Sequence, residues 1–460
     1  MAELADQSAS EMRRRFATGE VRPSEALEAV LRRVEAWQPR IHAFTHVMAD
    51  AARQAARDPD ERYARGEPLG VLDGVPVTVK ENIATAGDPY RMGTAATPPT
   101  VSDADAPAAA RLKEGGAVIF AKTTMPDFGM LTSGVSSLHP TTRNPWTPDW
   151  NPGGSSAGAG AAAAAGIGPI HLGTDIGGSV RLPAGWCGVA GLKPSFGRIP
   201  VSPPYYGRCI GPLARKVGDL PLAMAVVTAP DERDHMSLPA AELPWTELAT
   251  PALATARIGL CTDAGAGVAP APEIVALVEQ AARALEARGA RIEPVPELID
   301  DELLDGLDRF WRMRSHLDLK HLGREAAARA LPYIREWTAP AADFSGEQVF
   351  TGFSAMDRMA VAVAHALGEL DFLLTPVAPM ATYSADAAGP IGPDQALAHV
   401  GFTAPFNMSG HPAISVPWGR CEDGRPVGVQ LVGRRHRDIE LLGLALACEG
   451  LRPPQPDWPR

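Results

Sequence analysis

A chain of 460 residues, 45% of them hydrophobic, has ample apolar matter for a large core, and its 45 glycines and 44 prolines forecast many turns rather than disorder. Forty-three basic against 54 acidic side chains leave a net charge of −11, a balance that repels phosphate backbones and argues against a nucleic-acid partner. Cys187, Cys209, Cys261, Cys421 and Cys448 are odd in number and form no C-x-x-C pair, which fits reduced thiols in a cytoplasmic protein better than a disulfide framework.

The opening "MAELADQSASEMRRRF" has no apolar leader, and the mild Ala/Gly run at 157–173 is too short to span a bilayer, so a soluble protein without membrane contact is expected. Next, "SEALEAVLRRVEAW" puts Leu27, Val30, Leu31, Val34 and Trp37 on one helical face, with Ser24 as its expected N-cap after Pro23. "DGVPVTVKENI" reads as a short β-branched strand that carries Lys80 to its end. A helix through "APAAARLKEGG" stops at Gly115–Gly116, and "AVIFAK" is the next strand, so a β-α-β rhythm has begun. Prolines at 140, 145, 148 and 152 mark residues 133–152 as loop. Then come a helix from Ser155–Ser156 to about Gly166, the strand "PIHLG" and the glycine-rich turn "GTDIGGSVR". "ARIGLC", "PEIVALVEQAARALEARGA" and "RIEPV" repeat the strand–helix–strand pattern. Residues 297–368 read as helical and carry Phe310, Trp311, Tyr333, Trp337, Phe344, Phe350 and Phe353. "DFLLTPVAP", "AISVPWG" and "PVGVQLVG" return to strands, and "DIELLGLALACE" is a closing helix.

Three readings compete for "NPGGSSAGAG". A phosphate loop needs G-K-[ST], and no lysine lies between Lys122 and Lys193. "GSSAG" matches the G-x-S-x-G elbow with Ser156 as nucleophile, but that elbow follows a strand directly and here a proline-rich loop precedes it. Simple helix capping by either serine is the third reading. The balance shifts 24 residues later, where Gly177 and Gly178 precede Ser179 in a second turn whose backbone N–H groups can converge on one point, as an oxyanion hole requires. A lysine at a strand end and a serine in each turn make a possible proton relay. His171, the nearest histidine, sits on a strand and reads as core; His42 and His46, four apart on a segment reading as strand, would not share a face to bind metal.

"GGSSAG", "GTDIGGSVRLPA", "CGVAGLKPS" and "GPLAR", with "GVPVTVKENI" before them and "FTAPFNMSGHPAISVPWG" and "GRPVGVQLVG" after, resemble the amidase signature family over roughly residues 10–450. The resemblance implies an α/β fold of one large domain, a mixed twisted sheet covered by helices on both faces. It divides into N-terminal helices (1–60), a catalytic core (61–220), a helical substrate-pocket insertion (297–368) and a C-terminal part of the core (369–450). It implies Lys80 as base, Ser155 as bridging serine on a cis peptide at Gly154 or its neighbour, and Ser179 as nucleophile. The amides of Ile176, Gly177 and Gly178 are the implied oxyanion donors. Ser156, Thr174, Asp175 and Arg181 are expected around them, Asp175 and Arg181 holding the loop as a buried ion pair or through backbone hydrogen bonds rather than touching substrate, and the Gly129 backbone is expected to border the acyl pocket. Ala157 departs from the family's G-G-S-S-G-G.

A lysine is a base only when neutral, against an ordinary pKa of about 10.4; the apolar "VPVTVK" supplies the burial that lowers it. The expected activity is hydrolysis of small non-peptide amides through an acyl-enzyme, with aryl amides, carbamates (urethanes) and esters as extensions. Loops at 125–140 and 203–207 and the 297–353 segment are the expected specificity elements. The only expected partner is the small amide or carbamate substrate, with no cofactor or metal, and the chain is expected as a monomer or homodimer. The alternative within the family is the amidotransferase subunit of a tRNA-dependent amidation complex, whose second turn usually reads D-T-G-G-S where this chain has "DIGGS".

Overall fold

The computed structural model describes residues 4–249 and 253–459. Eleven segments pair into one sheet: β1 (Phe44–Val47), β2 (Pro76–Lys80), β3 (Val118–Thr123), β4 (Ile170–Asp175), β5 (Ala190–Lys193), β6 (Cys209–Ala214), β7 (Arg257–Leu260), β8 (Arg291–Pro294), β9 (Phe372–Pro376), β10 (Ala413–Arg420) and β11 (Pro426–Gly433). Their order across the sheet is β1-β3-β2-β4-β6-β5-β10-β11-β9-β7-β8. The runs β3-β2-β4 and β9-β7-β8 are parallel and the remaining pairs are antiparallel, so the sheet is mixed. Strand alternation sends Leu374 and Leu431 into one core cluster and their neighbours Leu373 and Val432 into another, so helices cover both faces. The single large α/β domain expected from the sequence is the fold observed.

Most elements fall where the patterning puts them, with three informative differences. The first amphipathic helix spans Pro23–Ile41 and buries Leu27, Val30, Leu31, Val34 and Trp37, but its N-cap is Arg22, not Ser24. Proline fixes the first helical position, and Glu25 Oε2 accepts the Arg22 amide at 2.9 Å. The strand read as "PIHLG" runs on through Asp175, so Thr174 and Asp175 are strand residues, and the turn shrinks to 176–180 before a helix at Arg181–Cys187. His42 is no strand residue: it ends the Pro23–Ile41 helix in the left-handed conformation, at φ 47°.

The helix Ala157–Ala164 is buried on every side, which explains why it carries no polar face. Only small residues fit: a Cβ on Gly158 would stand 2.1 Å from the Ala43 carbonyl oxygen. This close packing fixes the serine pair in front of the helix against the C-terminal ends of β2 and β4. In an open α/β sheet, reactive groups gather at such ends. All five cysteines are buried and unbonded to one another. Among the described residues no helix is long and apolar enough to cross a membrane.

Candidate active site

Lys80 ends β2 with its side chain wholly buried. Its neighbour Glu81 is no partner: that carboxylate accepts the Gly93 amide at 3.0 Å and lies 3.2 Å from His139 Nε2. Instead Lys80 Nζ sits 2.8 Å from Ser155 Oγ and 2.9 Å from Thr174 Oγ1, and Thr174 Oγ1 also accepts from Asn82 Nδ2 at 3.1 Å. Burial holds the amine well below its ordinary value; the negative charge of Asp175 opposes that shift and the positive charge of Arg208 adds to it. Burial among hydroxyls favours the uncharged form of this amine. His171 stays in the core as expected: Thr78 Oγ1 bonds its Nδ1 at 2.9 Å, and burial pushes its pKa down to about 3.

The serine pair divides the work. The Gly154–Ser155 peptide is cis, and Gly154 is required for space, since a Cβ there would stand 2.4 Å from the Ser133 nitrogen. Ser156 precedes the Ala157–Ala164 helix but caps nothing with its side chain. Its amide donates to the Ser179 carbonyl at 3.1 Å, while its hydroxyl donates to Thr174 O and accepts from Thr174 N, each at 3.2 Å. Ser156 therefore stitches the two turns together, fully buried. The elbow reading also lacks its strand, because β3 ends at Thr123 and the chain is irregular from there to Ser156 apart from a short 3₁₀ turn. Of the three serines, Ser155 and Ser156 are buried and Ser179 is half-buried.

The second turn is built on Asp175. Its carboxylate accepts from the Gly178 amide at 2.8 Å, the Val180 amide at 3.0 Å, Asn407 Nδ2 at 2.9 Å, and Arg181 through Nη2 at 2.9 Å and Nε at 3.0 Å. Burial alone would raise its pKa, but the Arg181 charge and these hydrogen bonds win and hold the carboxyl well below the usual range. Arg181 is in turn held by Asn407 Oδ1 at 2.6 Å and Gln430 Oε1 at 2.8 Å. Asp175 and Arg181 thus form the expected buried pair. One expectation changes: the three amides before Ser179 are not equivalent, because that of Gly178 is already given to Asp175. The Ile176 and Gly177 amides have no acceptor among the described residues.

Gly129 borders the same centre. It adopts φ +70°, and a Cβ there would lie 3.2 Å from Ser155 Oγ. Gly129→Ala is expected to lower kcat about 10²-fold by displacing that hydroxyl, with an unchanged circular dichroism spectrum; wild-type turnover of the alanine variant would remove Gly129 from the site.

Several contributors show nothing of their role in their local pattern. Asn82, Thr403, Asn407 and Gln430 reach the turn from distant segments; Thr403 Oγ1 donates to the Gly177 carbonyl at 2.6 Å. Trp311, one of seven aromatics in the helical segment, has its ring edge against Gly177, 3.1 Å from where a Cβ would be. Among the described residues no cluster of His, Cys, Asp and Glu is able to hold a metal.

The chain is similar to known proteins over almost its whole length. The family described as Amidase matches residues 25–442. An acylamidase of Rhodococcus erythropolis is 32% identical, with 97% of this chain and 95% of the relative covered. A glutamyl-tRNA(Gln) amidotransferase subunit of Synechococcus sp. (strain CC9605) is 31% identical over 96% of this chain and 95% of its own length. The crystal structure of a bacterial aryl acylamidase of the amidase signature enzymes superimposes with a TM-score of 0.87 at 28% identity, covering 98% of this chain and 97% of the other. A lysine lodged among hydroxyls and a match that spans almost the whole chain lead to one assignment: this protein belongs to the amidase signature family, hydrolases of carbon–nitrogen bonds.

Proposed function

We propose that the chain cleaves small non-peptide amides through an acyl-enzyme on Ser179. The observation that carries this reading is the buried Lys80 amine, 2.8 Å from Ser155 Oγ and without an ion-pair partner among the described residues. In the proposed cycle the Ser155 hydroxyl gives its proton to Lys80 Nζ and takes that of Ser179, whose oxygen attacks the substrate carbonyl. The Ile176 and Gly177 amides stabilise the oxyanion, while the bond from Gly178 to Asp175 fixes the turn that aims them. The relay then runs backwards to protonate the leaving amine, which departs as the C–N bond breaks. Water, activated by the same relay, releases the carboxylic acid and frees Ser179.

Aryl amides are the proposed substrates, in keeping with the acylamidase relative and the aryl acylamidase structure and with Trp311 beside the turn. Carbamates and esters pass through the same tetrahedral intermediate and belong to the same reading. The position of Trp311 also supports the 297–368 segment as a pocket-forming insertion. The protein is taken to work in the cytoplasm without cofactor, nucleic acid or membrane, as a monomer or homodimer. A second reading, the partner-dependent amidotransferase component, draws on relatives such as the Synechococcus protein; copurification with companion proteins and no turnover by the isolated chain would favour it.

A fluorophosphonate is expected to add one mass increment, mapped to Ser179, and to block hydrolysis of aryl anilides. Ser156→Ala is expected to retain measurable turnover, at roughly a tenth to a hundredth of wild type, because it removes the two hydroxyl bonds to the Thr174 backbone and keeps the amide bond to Ser179. A Ser156→Ala protein as inert as Ser179→Ala would revive Ser156 as nucleophile.

A further inference from the structure

Beside the turn lies a group of hydrogen-bond donors without acceptors. Arg314, one turn beyond Trp311 on the Asp301–Leu322 helix, has its guanidinium 5.8 Å from the Trp311 ring centroid and 5.1 Å from that of Tyr205. Arg208 faces the same Tyr205 ring at 5.2 Å, so two cations flank one aromatic ring. Neither makes an ion pair among the described residues. Among the described residues the one side-chain bond of Arg314 is a long contact of 3.4 Å to its neighbour Ser315, and Arg208 has none. The Trp311 indole N–H and Arg314 Nε are both buried with nothing to donate to. Asp318, one turn further along, feels both positive charges yet pairs with neither. Arg208 stands near enough to Lys80 for its charge to weigh on that amine.

Buried donors left unsatisfied are costly, and two half-buried guanidiniums without an ion pair beside them leave a local excess of positive charge. A group that accepts only, and carries negative charge, matches such a set, and a planar carboxylate fits the guanidinium fork. Through Trp311 the donors adjoin Gly177, so the anion they receive belongs to a molecule that also reaches the oxyanion turn. We infer that the preferred substrate is an amide bearing a free carboxylate within a few bonds of the scissile carbonyl, received by Arg208, Arg314 and the Trp311 indole. This rests on the amidase reading above and narrows it from aryl amides in general to anionic ones. The same pair of cations repels cationic amines and leaves neutral amides as slow substrates.

The test compares the mono-4-nitroanilide of glutaric acid with its methyl ester, which has one more methyl group and no charge, and reads the release of 4-nitroaniline so that only amide cleavage counts. Wild-type protein is expected to favour the acid at least about tenfold in kcat/KM, chiefly through KM. Arg208→Gln and Arg314→Gln are each expected to bring that ratio close to one, while Arg314→Lys keeps part of it. Calorimetry on Ser179→Ala protein reads binding apart from chemistry: the acid is expected to bind at least about tenfold tighter than the ester. Equal turnover and equal binding of acid and ester would overturn the carboxylate pocket and leave the amidase reading standing. Equal losses for both substrates in the glutamine variants would overturn it too, marking the arginines as structural. Preferential binding of the acid with no turnover of either compound would keep the pocket and remove the amidase reading.

Discussion

Ser179→Ala and Lys80→Met are each expected to lower kcat/KM by about 10⁴-fold or more, because members of a proton relay act as a unit and losing one disables the rest. Methionine is chosen at position 80 because it fills nearly the same buried volume without the amine. The two variants should differ in stability. A buried lysine held below its ordinary value of 10.5 releases a proton on folding that the unfolded chain keeps. Stability therefore rises with pH between the lowered folded value and 10.5, and at neutral pH the amine costs the fold something. Lys80→Met is thus expected to be inactive yet at least as stable as wild type at pH 7 by thermal melting, and to lose that pH dependence. A Met variant that is active, or that melts well below wild type, would contradict a neutral buried base. Ser179→Ala removes a half-buried hydroxyl and should leave the melting temperature nearly unchanged.

Asp175→Ala has the second largest expected effect, on both stability and rate. It strands the buried Arg181 charge and frees the Gly178 and Val180 amides at once. Removing one partner of a buried pair costs about 3–5 kcal/mol, and a misaimed oxyanion turn costs about 10²–10³ in rate. The pH signature follows from the lowered carboxyl. Its contribution is complete above the unfolded value of 3.8 and is lost as pH falls below that toward the folded value. Urea unfolding from pH 6 down to pH 2.5 is expected to show a steep loss of wild-type stability below about pH 4, and a shallower one in Asp175→Ala. Parallel curves would mean that Asp175 does not hold the turn.

How much of this was legible in the sequence depends on how local each signal was. Lys80, Ser155 and Ser179 stand in short motifs whose glycines are spatially compelled, as Gly154 is by the Ser133 backbone, so the motif and the geometry carry the same information. The strand and helix order followed from alternation and from glycine and proline punctuation. Ser24 misled because a proline at the first helical turn outranked the usual capping preference. The turn was drawn too long because glycine and threonine at 173–174 look like turn residues, yet β6 pairs with them through Asp175. The roles of Thr403, Asn407, Gln430 and Trp311 were beyond reach for a plainer reason, although the first three stand in segments that carry the family resemblance. Each lies more than 130 residues from the turn it serves, on a segment whose own pattern speaks only of helix or strand. The unequal standing of the Ile176, Gly177 and Gly178 amides was equally invisible, since it depends on which way the Asp175 side chain folds back.

The central claim is that the base at position 80 is uncharged at neutral pH and activates Ser179 through Ser155. The most direct measurement is the rate of fluorophosphonate addition to Ser179 as a function of pH. The account predicts that labelling, mapped to Ser179 by mass spectrometry, reaches its plateau by about neutral pH and is abolished in Lys80→Met. A labelling rate that keeps climbing toward the ordinary lysine value of 10.5, or that survives the loss of the amine, would contradict it.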